Sequence, residues 1–133
     1  MNEVEQVVFD FVREELTEDL IPKHYNVLVN SNFCGHCHHA SLAMYCLLGG
    51  KEEGYKLQKA VDEKGIIHYW LIDSYSNIID PTKEQYTDLN RPLPYDNLVD
   101  NRASYRKTKS TKLIIKNVEE KLKTYSQEIN DTN

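Results

Sequence analysis

Cysteine is scarce in this chain of 133 residues: it holds three, and two of them lie only three positions apart. An odd, local set of this kind cannot staple a domain with disulfides, and it indicates a reducing, intracellular compartment. Long apolar runs are also missing, since none approaches the roughly 20 residues of a transmembrane helix. The opening residues MNEVEQVV lack the basic and apolar regions of a secretory signal. We therefore expect a cytoplasmic protein without a membrane partner.

The composition shows no extreme bias. Apolar residues make up 40% of the chain and charged residues 28%, which is typical of soluble globular domains and argues against disordered and membrane-spanning classes. The length predicts a single domain over residues 1–125 whose core forms without disulfides. We expect residues 126–133 to be a disordered tail. No internal repeat is present, and no cofactor is indicated.

A positive net charge is absent too. The formal net charge is −5, which argues against non-specific nucleic-acid binding. Residues 1–21 carry seven acids and one base. Residues 102–116, here called the basic segment, show the opposite charge pattern. The simpler interpretation is that this segment is a solvated face, and the alternative is that it contacts an acidic partner. The basic segment has no acid and six bases: Arg102, Arg106, Lys107, Lys109, Lys112 and Lys116.

Hydrophobic spacing predicts three long helices. Apolar residues recur at helical intervals over residues 3–20, and Pro22 ends that pattern. A second helix is expected over residues 35–48, where a Gly-Gly pair follows. Its apolar residues indicate a central, buried helix. A last helix is expected over residues 112–125.

The residues between these helices carry a β-strand pattern. Residues 55–62 and 66–80 contain β-branched and aromatic side chains, and the second stretch is expected to form a β-hairpin. The short apolar stretch 25–29 is expected to be a strand or an extended loop, and residues 83–98 are expected to be loop-rich. This order predicts an α+β fold in which a small antiparallel sheet packs on the central helix.

Two cysteines and three histidines crowd the stretch FCGHCHHAS, residues 33–41. A cysteine nucleophile needs a lowered pKa, a base within hydrogen-bond reach and a group that orients the base. The first turn of a helix favours a thiolate, because the helix dipole is positive there. Cys37 lies in this turn of the central helix, whereas Cys46 lies near the opposite end. Cys37 is therefore the predicted nucleophile.

His68 is the predicted base, because it lies within the strongest strand and can face the central helix. A histidine satisfied inside the core is the alternative interpretation. Strand side chains alternate between faces, so a hairpin loop of odd length places His68 opposite Thr82. Asp80 is then a diagonal neighbour on the same face, about 7–8 Å away between backbones, where a carboxylate can orient the imidazole. Asp73 has the opposite parity and is expected to face away.

These residues stand in blocks that resemble the transglutaminase-like core. The block G-H-C-H-H-A around Cys37 resembles its G-x-C-x-x-A, the block H-Y-W from His68 matches its H-x-W, and the block D-P-T from Asp80 matches its D-P-T. The three blocks occur in the order Cys, His, Asp and lie within residues 34–82. The resemblance implies a compact core, a triad of these three residues, and Trp70 as a residue that lines the site.

Two further resemblances concern the same region. The run C-G-x-C resembles the papain-type signature C-G-[SA]-C-[WY], but His36 and His38 replace its small and aromatic residues. The 31 residues that separate Cys37 from His68 are also too few for papain itself. Most of the chain resembles a family of small phage-encoded proteins through HCHHASLAMYCLLGGK, HYWLID, IIDPTKEQY, PYDN and KSTKLIIKNV. Leu42 departs from that pattern, which has an acid there. This resemblance implies a fold and a site, in a host-cell cytoplasm, rather than a substrate.

An acyl transfer also needs donors for an oxyanion. The backbone N–H of Cys37 is one candidate. Asn32 is a second, although capping the helix is the simpler role for it. Gln85 either lines the site or lies exposed on a loop. His38 and His39 are expected to cap the helix or to pack beside its first turn.

Zinc binding is an alternative for the cysteine-histidine stretch. C-x-x-C is one half of many structural zinc sites, and Cys34, Cys37, His39 and His68 could complete a tetrahedral set. No second half follows at the usual spacing, and a domain of this length does not need zinc to fold. The triad is therefore the favoured interpretation.

The sequence thus predicts a cysteine-dependent acyl-transfer enzyme: a peptidase, a deamidase or a transglutaminase-like enzyme. Its substrate is expected to be a protein or peptide, attacked at a peptide bond or a carboxamide. Two alternatives stay open, the zinc-binding module and a non-catalytic phage protein that binds a host factor on the same fold through the basic segment.

Overall fold

The computed structural model describes residues 1–20, 35–99 and 102–131. The predicted extended segment 25–29 and the candidate oxyanion donor Asn32 lie outside these ranges. Within them the fold is α+β, with four α-helices and one three-stranded antiparallel sheet in the order β1-β2-β3. The elements are α1 (Glu3–Glu14), α2 (Cys37–Leu47), β1 (Lys56–Val61), β2 (Ile67–Ile72), β3 (Ile78–Ile79), α3 (Glu84–Thr87) and α4 (Lys109–Asp131).

Helix α1 begins with a reciprocal cap and ends earlier than its apolar pattern predicts. The Asn2 side chain accepts from the Glu5 N–H, and the Glu5 carboxylate accepts from the Asn2 N–H, both at 2.8 Å. The helix stops at Glu14, and a 3₁₀ turn follows over Glu18–Leu20. The Thr17 hydroxyl hydrogen-bonds a side chain two residues on, and such local bonds compete with the helical ladder.

Helix α2 is the central element, as its composition predicts. It packs against α1, α4, β1 and β2, and its residues Ala40, Ala43 and Met44 are fully buried. It ends before Gly49, whose φ of 98° is the left-handed conformation that glycine adopts without strain. The core on both sides of α2 is apolar, with Val12 from α1 and Ile114 from α4 fully buried. The first turn of α2 is therefore held on a rigid scaffold.

The register of the β2–β3 hairpin follows the odd-loop prediction. Leu71 pairs with Ile79 and Ile72 with Ile78, and the Asp73 N–H donates to the carbonyl of residue 77 at 3.1 Å. Extending this register places position 68 opposite position 82. The Asp73 carboxylate accepts from the backbone N–H groups of residues 75 and 77, both at 2.9 Å. It therefore stabilises the turn, as expected for a side chain that does not orient His68.

The second half of the chain departs from the sequence analysis at two places. Residues 83–98 are loop-rich, as predicted, but α3 forms one short helical turn within them that was too brief to show a period. Helix α4 begins at Lys109 and continues to Asp131, so the tail predicted from residue 126 is helical up to residue 131. Adding residues to an existing helix costs little, since each one gains a backbone hydrogen bond. Among the described residues, no helix combines the length and the apolar character needed to cross a membrane.

Candidate active site

Cys37, His68 and Asp80 come together from three separate elements. Cys37 is the first residue of α2 and is partly exposed. His68 lies in β2 with no exposed surface, and Asp80 follows β3 and is 5% exposed. The His68 Nε2 and Asp80 Oδ2 atoms are 2.6 Å apart, and Cys37 lies near enough to the same imidazole to raise its pKa. The structure thus assembles the three residues that the sequence singled out.

The charge of His68 depends on these two partners. Burial alone lowers the pKa of His68, because an apolar environment disfavours the charged ring. The hydrogen bonds with Asp80 and Cys37, together with the negative charges of both groups, outweigh burial and raise this pKa to about 9. A charged imidazole that bonds a carboxylate and has a cysteine nearby is an arrangement in which the cysteine can act as a nucleophile.

Two residues that the sequence reasoning did not assign hold the Asp80 carboxylate. The Tyr95 hydroxyl donates to Asp80 Oδ2 at 2.8 Å, the oxygen that also faces His68. The Thr82 backbone N–H donates to Oδ1 at 3.1 Å, and its hydroxyl lies 3.5 Å from the same atom. Donors therefore hold both carboxylate oxygens in place beside His68.

The imidazole ring is held on its faces and at its second nitrogen. Trp70 stacks on the ring, with centroids 5.7 Å apart and planes at 27°, and Tyr86 meets it edge-on at 4.8 Å. The side-chain amide of Gln85 contacts Nδ1 of His68. Gln85 is buried on α3, so of its two expected placements the structure shows the one that lines the site. Within the described part of the chain, the indole N–H of Trp70 has no hydrogen-bond partner.

A second polar network fixes Tyr86 behind the imidazole. The Tyr86 hydroxyl donates to Asp62 at 2.9 Å, and Arg91 donates to the same carboxylate oxygen at 2.9 Å. The Arg91 guanidinium also lies 4.7 Å from the centre of the Tyr86 ring. Asp62 in turn accepts from two backbone N–H groups of the β1–β2 turn. These contacts tie β1, β2 and α3 together under the site.

The three neighbouring histidines do not surround Cys37. Nδ1 of His36 and Nε2 of His39 are 2.6 Å apart, and both rings are buried. Desolvation lowers the pKa of His36 to about 4. Desolvation and the two neighbouring histidines lower that of His39 to about 3. The imidazole of His38 donates through Nε2 to the carbonyl of Ser104 at 2.9 Å and meets Tyr69 edge-on. His38 and His39 thus pack beside the first turn, as expected.

The zinc alternative finds no support in the part of the chain that the structure describes. Cys34 lies outside it. Among the described residues, no group of three or more histidine, cysteine, aspartate or glutamate side chains could hold a metal ion. His39 faces His36, and His68 faces Asp80, rather than a common centre.

The position of Cys37 also supplies a donor for an oxyanion. The first N–H groups of an α-helix have no acceptor within the helix, and the Cys37 N–H is the first of α2. Such a group can stabilise the negative oxygen that forms when a cysteine attacks a carbonyl.

Comparison with protein families, curated proteins and solved structures finds no match for this chain.

Proposed function

We propose that this protein is a cysteine-dependent acyl-transfer enzyme whose triad is Cys37, His68 and Asp80. The observation that carries the proposal is the buried His68, which bonds Asp80 at 2.6 Å and has the partly exposed Cys37 near enough to raise its pKa. A core histidine without a chemical role needs neither an ionised partner nor an accessible cysteine. We also infer a compact transglutaminase-like core, because the nucleophile opens a buried helix and the other two residues come from the following hairpin.

The chemistry follows from these contacts. The Cys37 sulfur attacks a carbonyl carbon of a peptide or carboxamide, and the carbonyl π electrons move to oxygen near the Cys37 N–H. His68 gives its proton to the leaving nitrogen as the C–N bond breaks, which leaves a thioester. Water or an amine then attacks the thioester, transfers its proton to His68 and releases the thiolate. Asp80 bonds Nε2, so Nδ1 is the nitrogen that exchanges this proton, and the Gln85 amide that contacts Nδ1 must move aside for the step.

The relative labelling rates of Cys37 and Cys46 test whether Cys37 is the nucleophile. Brief treatment with iodoacetamide at pH 7, followed by peptide mass mapping, compares Cys37 with Cys46 in one sample. Burial raises the pKa of Cys46, although the charge of Lys107 opposes that rise. We expect Cys37 to react about tenfold faster or more, since the thiolate is the reactive form. Replacing His68→Ala should bring Cys37 close to the rate of Cys46.

The His38→Ala variant is a matched control, because His38 follows Cys37 in the same turn but bonds Ser104. It should keep the fast rate. Turnover is then assayed on glutamine-containing peptides as ammonia release, amine incorporation and chain cleavage, each read by mass spectrometry. A Cys37 no faster than Cys46, or full turnover in Cys37→Ala, contradicts the proposal. A Cys37→Ala variant that keeps the full effect of the protein on a host factor favours the non-catalytic alternative.

A further inference from the structure

The basic segment places positive charge on the surface, and no acidic residue within the segment balances it. All six of its basic side chains are exposed. Among the described residues, none of the six forms an ion pair; the cationic partners there are Arg13, His68, Arg91 and Lys121. A surface cation without an internal partner is free to bind an external anion.

The first part of this segment lies along α2, beginning beside the candidate nucleophile. Residues 102–108 have no regular secondary structure. The carbonyl of Ser104 is bonded to His38, the residue after Cys37. The ring of Tyr105 lies 5.0 Å from that of Tyr45, towards the other end of α2.

One more contact fixes the path of the segment. The Tyr105 hydroxyl accepts from the Leu57 N–H of β1 at 3.0 Å. Burial raises the pKa of Cys46, near the end of α2, and the charge of Lys107 opposes this rise. The segment therefore follows the helix from its first turn to its last, and its bases continue onto α4.

We propose that the basic segment is a docking track for an acidic stretch of the polypeptide substrate, which lies beside the carboxamide or peptide bond that Cys37 attacks. This inference rests on the proposed function, because it names the substrate class of the same site. The track and the nucleophile are joined through one turn of helix, so a chain bound to the track is delivered to Cys37.

The length of α2 sets the number of substrate residues between the bond that reacts and an acid bound at the far end of the helix. His38 and Cys46 are eight positions apart, which spans about 12 Å at 1.5 Å per residue. An extended peptide covers this distance with about four residues. An acid that meets Lys107 is thus expected about four residues from the bond that reacts.

A polypeptide fits this surface better than a nucleic acid does. The whole chain carries a net charge of −5, so a long polyanion is repelled outside the track. A short acidic stretch of a peptide can bind the six bases without extending onto the acidic remainder of the surface. Carboxamides and peptide bonds, which the proposed chemistry requires, are also polypeptide groups.

The experiment measures how peptides protect Cys37 of the full chain from iodoacetamide. One peptide carries a single glutamine followed, from the fourth position onward, by five glutamates. A second carries the glutamates on the other side, and a third has serines in their place. We expect one acidic peptide to protect Cys37 at concentrations about tenfold below the serine peptide, and 0.5 M salt to remove this advantage.

The double variant Lys107→Glu/Lys109→Glu should lose that tenfold advantage while its Cys37 reacts at the wild-type rate without peptide. The double variant Lys64→Glu/Lys123→Glu has the same change in charge at exposed sites outside the track and should keep the advantage. Equal protection of both variants overturns the proposal. The proposal is also overturned if an oligothymidylate protects Cys37 as well as the acidic peptide does, because the track would then bind any polyanion.

The same peptides, labelled with fluorescein, keep the two proposals separable. If Cys37 shows no enhanced reactivity, the acyl-transfer proposal fails. Fluorescence anisotropy then still reports whether the acidic peptide binds the wild-type chain and not the Lys107→Glu/Lys109→Glu variant. No binding in either assay removes the track.

Discussion

At the scale of single residues, His68 is the group whose charge state costs most to maintain. It has no exposed surface, and an isolated charge at such a position is strongly unfavourable. Asp80 makes the charge tolerable, and Asp80 is itself held by Tyr95 and Thr82. Removing one member of a buried pair is more damaging than replacing both, because the remaining charge is left without a partner.

Replacing Asp80→Asn should make stability less dependent on pH between about 6.5 and 9. The pKa of His68 is raised to about 9 in the folded protein, so its protonation stabilises the fold fully below pH 6.5. This contribution is lost as the pH rises towards 9. A shift of this size corresponds to about 3 kcal/mol. Urea unfolding of both proteins at pH 6 and pH 9.5 measures the effect.

The wild-type protein should therefore lose its advantage over Asp80→Asn as the pH rises. An advantage that is the same at both pH values would mean that Asp80 does not control the charge of His68. The Tyr86→Phe variant serves as a control, because its hydroxyl bonds Asp62 rather than the triad. It should leave the pH dependence as in the wild type.

At the scale of elements, the first turn of α2 combines the proposed nucleophile with two histidines whose burial favours the neutral form. His36 and His39 are buried against each other, and neither can be protonated without placing a charge in an apolar environment. The pKa of both is lowered below the ordinary value of 6.5. We therefore expect acid to destabilise the turn that presents Cys37.

The variant His39→Gln should resist acid better than the wild type. Because the pKa of His39 falls to about 3 in the folded protein, the unfolded chain binds its proton first, and stability decreases as the pH falls below about 6.5. Glutamine keeps a hydrogen-bonding group and does not titrate. Far-UV circular dichroism against pH should show its unfolding midpoint at lower pH.

The matched replacement His38→Gln should not move this midpoint, since His38 bonds a carbonyl at the surface and not another histidine. If His39→Gln unfolds at the same pH as the wild type, another group controls acid unfolding.

The elements also show where the sequence was informative. The period of α2, the glycine stop after it and the parity of the β2–β3 hairpin could be read locally, and they place Cys37, His68 and Asp80 on facing surfaces. The four-residue α3 could not be read, because it is about one turn long. The helix α1 ends at Glu14 although its apolar pattern continues, and the local side-chain bond of Thr17 that follows is not visible in an apolar pattern.

At the scale of the whole molecule, the site exists only in the folded chain. Its members come from α2, β2, the end of β3 and α3, and Tyr95 approaches from a further loop. No local pattern predicted Tyr95, because its contact with Asp80 depends on how that loop packs against the sheet. The proposed triad could be predicted because each of its members lies on or beside a regular element. The residues that hold it, such as Tyr95, could not be predicted, because they reach it only through tertiary packing.

The high reactivity expected for Cys37 should therefore be lost when the protein unfolds. Iodoacetamide labelling across a urea series should give a ratio of Cys37 to Cys46 rates that falls to near one. The fall should coincide with the loss of helical circular dichroism if unfolding is two-state. A fall at lower urea would mean that the site opens locally before the core does.

The stacking of Trp70 on His68 gives the protein an optical label of its own. The chain has one tryptophan, and its ring lies 5.7 Å from the imidazole. A protonated imidazole quenches indole emission more strongly than a neutral one. Intrinsic fluorescence should therefore increase as the pH is raised through about 9, the pKa of His68, and Asp80→Asn should move this increase to lower pH. An unmodified sample can in this way report the protonation of its own candidate catalytic base while a substrate is bound.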